Sequence, residues 1–401
     1  MNILKKLVTP RQKVLIRSIL HSVYRLKHGL PKVEASLDYL FIQHKGYDTF
    51  FGYYDITPFN SSDEILYLKR RNNSNEVEIC LNDSNDLTKE KVLATSKAWN
   101  WQQGSRLRWF PGCEEHIVFN TFKNNKYGAT VINKNGQIVR NFKKPLYDIS
   151  ADGKLGLTLN FERLGVMRPG YGYTCKSYIP CNLQNESIDV IDLNSDNVVD
   201  SVTYSAIASV ISQQSTFDNC YINHLAFSPD GNCFLFFWIE IVNGYHQASL
   251  LVYDMLTKTI IPLELKEKVS HYVWLDNRNI LCTSYLDSLT CRYFVYNLKN
   301  RTKKPYCSEC LREDGHPSVD KDSFILTDTY PNRIGFQSLY LVDSEKDIKE
   351  TLFKVYMKPV ANGEKRTDLH PRFNISHSKI CIDINKEGNR EIVILNRNKN
   401  E

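Results

Sequence analysis

One pattern returns along this chain: a polar residue, an apolar stretch, a turn, and then a second apolar strand. Its clearest copies open at four histidines, namely His224, His271, His316 and His370. Weaker copies upstream open at Asp55, Arg106 and Asp148. The four histidines are 47, 45 and 54 residues apart, and periods near 40–50 residues that carry several short strands are typical of β-propeller blades. The sequence therefore predicts an all-β fold, a seven-bladed β-propeller.

The opening residue of each repeat is expected to face the central channel, because the first strand of a propeller blade runs beside the axis. Four of the ten histidines would then converge at one end of the channel. Imidazole is a common ligand for divalent transition metals and a proton carrier near neutral pH. The alternative is that a polar residue at this position only caps the innermost strand and bonds to backbone.

The ends of the chain suggest how the ring closes. Residues 1–37 are predicted to be a helical lead, and residues 38–401 the propeller. The last repeat, after His370, offers two clear strands, 379–384 and 391–395, while residues 36–43 resemble a strand that stands alone. We therefore expect residues 38–43 to complete the blade that begins at His370, since an open ring would leave exposed sheet edges.

Residues 11–28 read as a short basic amphipathic helix. Its apolar residues recur at helical spacing: Leu15, Ile16, Ile19, Leu20, Val23 and Leu26. Such a helix either lies on an anionic membrane surface or packs against the propeller. It lacks the run of about 20 apolar residues that a bilayer-spanning helix needs.

Composition narrows the classes of function. The formal charge of +6 is spread along the chain, whereas a nucleic-acid binder would show a concentrated basic stripe. Eleven cysteines without regular spacing favour a reducing compartment over secretion. We expect a cytoplasmic protein, either free or peripheral at the inner membrane.

One interval between repeat openings is longer than the others, because 76 residues separate Asp148 from His224. The excess, about residues 160–182, is rich in Arg, Tyr and Gly. Long insertions in repeat proteins usually lie on one face, often the binding face. We expect this loop to cover the channel mouth on the side of the histidines, with Arg168 and Tyr171 or Tyr173 toward the axis. The alternative is a blade-linking loop whose glycines only make turns.

The segments Ser270-His-Tyr-Val-Trp274 and Asp368-Leu-His-Pro-Arg-Phe373 resemble parts of the oligogalacturonate lyases. That family consists of seven-bladed propellers that cleave uronic-acid oligosaccharides in the cytoplasm with a manganese-type ion. The resemblance implies that His271 and His370 correspond to two metal-binding histidines of the family. Asp368 stands where the family has another histidine, and Lys365 where it has a glutamine.

Together these observations predict a β-elimination lyase that acts on an anionic, uronate-containing saccharide. The expected ligands of a divalent metal are His271, His316, His370 and Asp368. Expected catalytic residues are His224, Arg168, Tyr171 and Tyr173. Expected substrate-binding residues are Tyr54, Asp55, Trp101, Gln103, Arg106, Arg163 and Arg372. The alternative function is a non-catalytic propeller that binds glycan or protein, such as an accessory protein in bacterial surface-polysaccharide synthesis.

Overall fold

The computed structural model describes residues 10–28, 33–178, 183–211, 217–267, 269–286, 290–320, 324–357, 363–386 and 388–397. Within these ranges the chain forms seven antiparallel sheets, arranged as the blades of a β-propeller. The predicted fold class is confirmed. In blades 1 to 6 the four main strands follow one another in sequence from the channel outward.

The first three blades have charged residues at their repeat openings. From the channel outward, blade 1 contains Tyr47–Phe50, Glu64–Arg71, Val77–Asp83 and Asp86–Ser96. Blade 2 contains Arg108–Phe110, Cys113–Lys123, Lys126–Asn133 and Ile138–Phe142 in the same order. Blade 3 contains Asp148–Ile149, Leu155–Thr158, Ser187–Asp192 and Asn197–Thr203.

The four remaining blades carry the histidine repeats. Blade 4 contains Cys220–Phe227, Cys233–Val242, Tyr245–Asp254 and Thr259–Glu267. Blade 5 contains Val269–Trp274, Asn279–Tyr285, Cys291–Asn297 and Thr302–Tyr306. Blade 6 contains Ser318–Val319, Phe324–Asp328, Phe336–Asp343 and Ile348–Tyr356. Blade 7 contains Arg372–Phe373, Lys379–Ile384, Glu391–Asn396 and, as its outermost strand, Asp38–Ile42.

The ring closes by strand exchange between the two ends of the chain, as predicted. Asp38–Ile42 pairs antiparallel with Glu391–Asn396, so that Leu40 lies opposite Ile394. The short strand Glu34–Ala35 adds a fifth strand to blade 6, so the predicted helical lead is wrong at these two residues. Both additions cover sheet edges that would otherwise lack hydrogen-bond partners.

Among the described residues, three α-helices accompany the sheets: α1 (Pro10–His28), α2 (Phe161–Met167) and α3 (Tyr204–Val210). Single 3₁₀ turns occupy Leu183–Asn185, Phe217–Asn219 and Gly363–Lys365. None of the described helices is long and apolar enough to cross a bilayer. α1 rests on blade 6, where the Nδ1 atom of His21 lies 2.8 Å from the Tyr356 hydroxyl.

The second strand of blade 4 shows how the blades pack. Along Cys233–Val242 the residues from Phe234 to Glu240 are all buried. A strand that alternates buried and exposed residues has one face in water, whereas this strand is covered on both faces by neighbouring blades. Burial on both faces suits the continuous apolar run Phe-Leu-Phe-Phe-Trp in this strand. The packed strand holds the innermost strand of the blade beside the channel.

Candidate active site

The upper mouth of the channel is the end at which the innermost strands begin. It opens into a cavity of about 310 Å³. The walls come from the first three strands of blade 4, the first two strands of blade 5, loops of blade 6, the segment before blade 7, and the insertion between the second and third strands of blade 3. The side chains that matter for chemistry in this wall are Arg168, Tyr171, His224, His271, Asp314, Tyr330 and Arg366.

Local backbone irregularities turn the repeat-opening residues toward the axis. His224 and His370 have positive φ angles of 59° and 46°. The pairing of the innermost strand skips between Asn223 and Ala226 in blade 4, and between Val269 and Tyr272 in blade 5. A β-bulge re-aims a side chain, and positive φ at a non-glycine residue persists only where the surroundings enforce it. The bulges therefore place these rings in the channel.

The structure brings the four histidines together. The ring centroid of His316 lies 4.0 Å from that of His271 and 4.4 Å from that of His370. His224 is more distant, with its centroid 6.5 Å from that of His271. All four side chains are buried.

Asp314 orients His271. The Nδ1 atom of His271 lies 3.0 Å from Asp314 Oδ1, and the hydroxyls of Thr283 and Tyr285 donate to the same carboxylate at 3.0 and 2.9 Å. Burial and then the charge of His316 lower the pKa of His271. The ring is therefore neutral, its Nδ1–H donates to Asp314, and its Nε2 carries a lone pair.

Asp328 holds His316 in the same way. The Nδ1 atom of His316 lies 2.8 Å from Asp328 Oδ1, and the backbone N–H groups of His316 and His370 donate to this carboxylate at 2.8 and 3.2 Å. Burial lowers the pKa of His316, but Asp328 and then Asp368 outweigh it and raise the pKa above its usual value. Carboxylates that favour a proton on this ring also favour a metal cation beside it.

The buried ligand atoms without a hydrogen-bond partner among the described residues include His316 Nε2, His370 Nε2 and Asp368 Oδ1. These three residues can each place one ligand atom within 4.8 Å of the others. His370 Nδ1 donates to the carbonyl of Gly52 at 2.9 Å, which leaves the lone pair on Nε2. Arg366 donates to the other Asp368 oxygen at 2.6 Å. Imidazole nitrogens and a carboxylate oxygen oriented by such outer contacts fit a divalent transition metal.

The predicted metal ligands are thus divided. His316, His370 and Asp368 form one group, which we call the orphan triad. His271 lies outside this group of ligand atoms, although its ring centroid is 4.0 Å from that of His316. Lys365 does not join the orphan triad, because its ammonium lies 5.4 Å from the ring centroid of Trp101, outside the cavity.

Two arginines face the cavity above the orphan triad. Arg366 pairs with Asp368 and lies over the ring of Tyr330 at 4.8 Å. Arg168 lies over the ring of Tyr171 at 5.3 Å. A planar guanidinium binds a carboxylate through two hydrogen bonds, so this arrangement suits an anionic ligand.

The insertion reaches the upper mouth through α2. Asn160 caps this helix by accepting the N–H of Arg163 at 2.9 Å. The chain then folds back so closely that a Cβ atom on Gly172 would lie 2.0 Å from the backbone nitrogen of Gly165. This turn places Arg168 and Tyr171 in the cavity wall. Residues 179–182 of the predicted loop lie outside the described residues.

Two predicted residues of the insertion lie behind the wall and away from the cavity. Tyr173 stacks on Phe161 with centroids 4.5 Å apart, and its hydroxyl accepts the Asn120 amide at 2.8 Å. The Arg163 Nε donates to the carbonyl of Cys220 at 3.0 Å. Both side chains anchor the insertion, because their polar atoms are already bound to protein groups.

Three predicted substrate-binding residues form ion pairs within the protein. Arg106 binds Asp55 at 2.8 Å, with both side chains largely buried. Arg372 binds Asp383 at 3.2 Å and the carbonyl of Gly52 at 2.7 Å. These guanidinium groups act as internal ties, since protein acceptors occupy the positions that a substrate carboxylate would need.

Tyr54 and Gln103 position other groups. The Tyr54 hydroxyl donates to the carbonyl of Tyr272 and accepts its N–H, each at 2.9 Å. The Gln103 amide donates to Asn223 Oδ1 at 3.2 Å. That contact turns the Asn223 amide nitrogen toward His224 Nε2, 3.3 Å away. The proton of neutral His224 is therefore on Nδ1, so this ring offers a donor and not a base.

Trp101 lies in a second groove of about 850 Å³, separated from the cavity by the loops at Gly170 and Glu364. Its wall also contains Arg70, Lys97 and Trp99, together with Lys365. The Arg70 guanidinium lies 5.0 Å from the Trp101 ring centroid. The groove is thus aromatic and largely cationic.

Several residues of the site were not identified from the sequence: Asp314, Asp328, Tyr330 and Arg366. An alternating pattern could have revealed two of them, because Asp314 stands two residues before His316 and Arg366 two residues before Asp368. Asp328 and Tyr330 lie at the end of the second strand of blade 6 and just after it, outside the repeat-opening positions. No feature of the repeat marks them.

A second cluster of ligand types lies away from the channel, where Cys307, Cys310 and Asp347 come together. Asp347 already accepts the backbone N–H groups of Glu309 and Cys310, at 3.0 and 3.1 Å. Burial raises the pKa of both thiols to about 12. The thiols are therefore protonated, and the Asp347 carboxylate caps the turn that contains both cysteines.

Comparison with known proteins identifies the fold. No protein-family model matches the sequence, and no curated protein matches it significantly. An oligogalacturonate lyase in complex with manganese is similar in structure, with a TM-score of 0.63, 11% identity, and coverage of 92% of this chain and 98% of the other. The oligogalacturonate lyase of Vibrio parahaemolyticus also gives a TM-score of 0.63, at 12% identity and coverages of 92% and 99%.

The propeller domain of the trilobed protease from Pyrococcus furiosus is a more distant match, with a TM-score of 0.51, 12% identity and coverages of 90% and 95%. Proteins with different activities therefore share this architecture. At these identities the similarity shows the fold: the chain is a propeller of the kind found in oligogalacturonate lyases.

Proposed function

We propose that this protein is a β-elimination lyase that cleaves an anionic, uronate-containing saccharide in the cavity at the upper mouth. The observation that carries the proposal is the orphan triad, which Arg366 joins to a cavity with two arginines in its wall. Orphaned buried ligand atoms require an explanation in a folded protein, and a divalent cation bound next to a substrate carboxylate supplies one. The structural similarity to a manganese-bound oligogalacturonate lyase supports the same reaction class.

His316, His370 and Asp368 would hold the cation. When bound, a divalent cation withdraws charge from a uronate carboxylate and so acidifies the adjacent C–H bond. Asp328 and the Gly52 carbonyl orient the two imidazoles from behind. Such outer contacts hold ligand rings in place and raise their basicity.

Arg168 and Arg366 are the groups that bind the substrate carboxylate. They approach the cavity from different elements, the insertion and the segment before blade 7. Arg366 also touches Asp368, so a carboxylate bound by this guanidinium lies next to the orphan triad. Developing negative charge on the substrate would then meet fixed positive charge in a site with little water.

His271 is the residue placed to remove the proton. Because its Nδ1–H donates to Asp314, the lone pair of the ring is on Nε2. The His271 side chain lies in the cavity wall. In the elimination the proton on the carbon next to the carboxylate moves to Nε2. Its electron pair becomes the new carbon–carbon double bond, and the bond to the glycosidic oxygen breaks. That oxygen takes a proton from the hydroxyl of Tyr171, and the Nδ1–H of His224 is a further donor to the sugar.

The groove around Trp101 would bind the rest of the saccharide chain. Cations from Arg70, Lys97 and Lys365 match the repeated carboxylates of a polyuronate, and the indole rings match the apolar faces of sugars. Gly170 and Glu364 line this groove, and their chain neighbours Arg168, Tyr171 and Arg366 line the cavity. A substrate of several sugars could therefore occupy both.

The test is to incubate the purified protein and Mn²⁺ with a panel of acidic oligosaccharides and to follow ultraviolet absorbance of the unsaturated uronate product. We expect His271→Asn to reduce turnover by about 10²–10⁴-fold, because it removes the base. His377→Asn is the matched control, since His377 lines a separate pocket at the far ends of the innermost strands, which we call the lower mouth. Equal turnover of the two variants would remove His271 from the mechanism. Saccharide binding with no unsaturated product from any acidic oligosaccharide would replace the lyase by a glycan-binding propeller.

A further inference from the structure

α1 carries an apolar face that the propeller does not cover. Six of the twenty large apolar side chains exposed among the described residues lie on this helix, with exposures from 49% to 88%: Leu15, Ile16, Ile19, Leu20, Val23 and Leu26. At 3.6 residues per turn these six positions fall within an arc of about 140°. Elsewhere on the described surface such residues occur singly or in pairs along the sequence, which needs no explanation.

The opposite side of α1 attaches the helix to blade 6. His21 is buried and contacts the Tyr356 hydroxyl at 2.8 Å. Gly335 allows this close approach, because a Cβ there would lie 2.7 Å from the His21 ring. Tyr24 packs edge-to-face on Phe336 with centroids 5.9 Å apart. The attachment therefore fixes which face of the helix points away from the propeller.

The charge of this region has one sign. Residues 1–33 contain eight Lys and Arg residues and no Asp or Glu. Arg17 and Lys27 are exposed on α1 itself. A helix with an apolar stripe and only basic charges has the composition of helices that lie in the plane of an anionic bilayer. A solvent-exposed or protein-packed surface helix usually carries charges of both signs.

We propose that α1 docks the propeller onto the surface of an anionic lipid bilayer, with its six exposed apolar residues among the acyl chains. The basic residues contact the lipid phosphates, and His21 and Tyr24 hold the propeller against the membrane. This proposal is independent of the proposed lyase activity, since it concerns a different surface and a different partner.

The test uses the full-length protein and sedimentation with vesicles of phosphatidylcholine alone or mixed with phosphatidylglycerol. We expect binding to the mixed vesicles and at least about a tenfold weaker partition to phosphatidylcholine alone, because the basic residues need anionic lipid. The variant Leu15→Gln/Ile19→Gln/Leu26→Gln should lose binding to the mixed vesicles by about tenfold or more while keeping its charge. High salt should weaken binding of the wild type.

The matched control replaces three exposed apolar residues of the propeller, Val199→Gln/Leu256→Gln/Leu286→Gln, and should bind as the wild type does. Thermal unfolding of both triple variants should match the wild type, since all six positions are exposed. Equal vesicle binding by the α1 variant, or equal binding to both vesicle compositions, would overturn the proposal. A dimer in solution that the α1 variant converts to a monomer would also overturn it, because a second copy would then cover the face.

Discussion

The two halves of the propeller ring use their repeat-opening residues in opposite ways. In blades 1 to 3 these residues are charged and paired: Arg106 binds Asp55 at 2.8 Å, and Asp148 accepts a hydrogen bond from Arg108 at 2.6 Å. In blades 4 to 7 they are histidines, and the Nε2 atoms of His316 and His370 have no partner among the described residues. The same place in a repeat can therefore hold the ring together or be kept available for a ligand.

The two kinds of residue are expected to affect the free energy of unfolding differently. A paired buried charge stabilises the fold only while both partners remain, and removal of one leaves the other uncompensated. An orphaned polar atom is already destabilising, and its removal therefore costs little. Stability measurements at the repeat-opening positions should thus separate the two halves of the ring, with large losses at Asp55 and Arg106 and a small loss at His370.

The largest effect is expected for Asp55→Ala. It leaves the Arg106 guanidinium, which is 2% exposed, without its carboxylate. We expect the free energy of unfolding to fall by about 3–5 kcal/mol, measured by urea denaturation. The control is Lys354→Ala, which breaks the exposed pair with Glu34 and should cost less than about 1 kcal/mol. Similar losses in the two variants would show that the buried ion pair of Asp55 with Arg106 does not stabilise the ring more than an exposed pair does.

A smaller effect is expected for Tyr54→Phe. The Tyr54 hydroxyl reaches from blade 1 to blade 5 and satisfies both the carbonyl and the N–H of Tyr272. Its removal leaves two buried backbone groups unpaired, at a cost of about 1–3 kcal/mol. Tyr245→Phe, at a residue 67% exposed, is the control and should be neutral within error. A neutral Tyr54→Phe would mean that water replaces the hydroxyl.

The smallest loss of stability is expected for His370→Asn. Asparagine tolerates the φ of 46° at this position. The change removes an orphaned nitrogen together with the hydrogen bond from Nδ1 to the Gly52 carbonyl. Because Arg372 still donates to that carbonyl, the cost should be about 1 kcal/mol. The variant should nevertheless lack the rise in melting temperature that we expect Mn²⁺ to produce in the wild-type protein.

His377→Asn matches this change in residue type and in positive φ, but it lies at the lower mouth. It should keep the full response to Mn²⁺. An unchanged response in His370→Asn, or a loss of stability as large as that of Asp55→Ala, would remove the contrast between the two halves.

Much of the architecture could be predicted from the sequence, because each repeat has a pattern that is visible within a short stretch of the chain. Each blade has its own polar opening, apolar strands and turns, so seven copies could be counted directly. The missing strand of the last repeat and the spare strand before the first pointed to closure through Asp38–Ile42. The fifth strand of blade 6 was missed because a two-residue strand such as Glu34–Ala35 has no detectable pattern.

The candidate site was predicted only in part. Converging histidines follow from the repeat, but Asp328 and Tyr330 come from a different strand and the loop after it, and they carry no periodic signal. Tyr173 and Arg163 have the residue types of a sugar site, yet their polar atoms bind protein groups. Residue type alone does not tell a free guanidinium from one that is already paired.

The seven-fold repeat, the closure of the ring and the basic, apolar character of residues 11–28 can all be recognised in the linear chain. They are properties of spacing and residue type. The folded ring, in contrast, sets which nitrogen of each histidine has a partner, which arginines are internally paired, and which face of α1 remains exposed. Those outcomes depend on contacts between residues as far apart as His370 and Gly52, and such contacts exist only after the ring has closed.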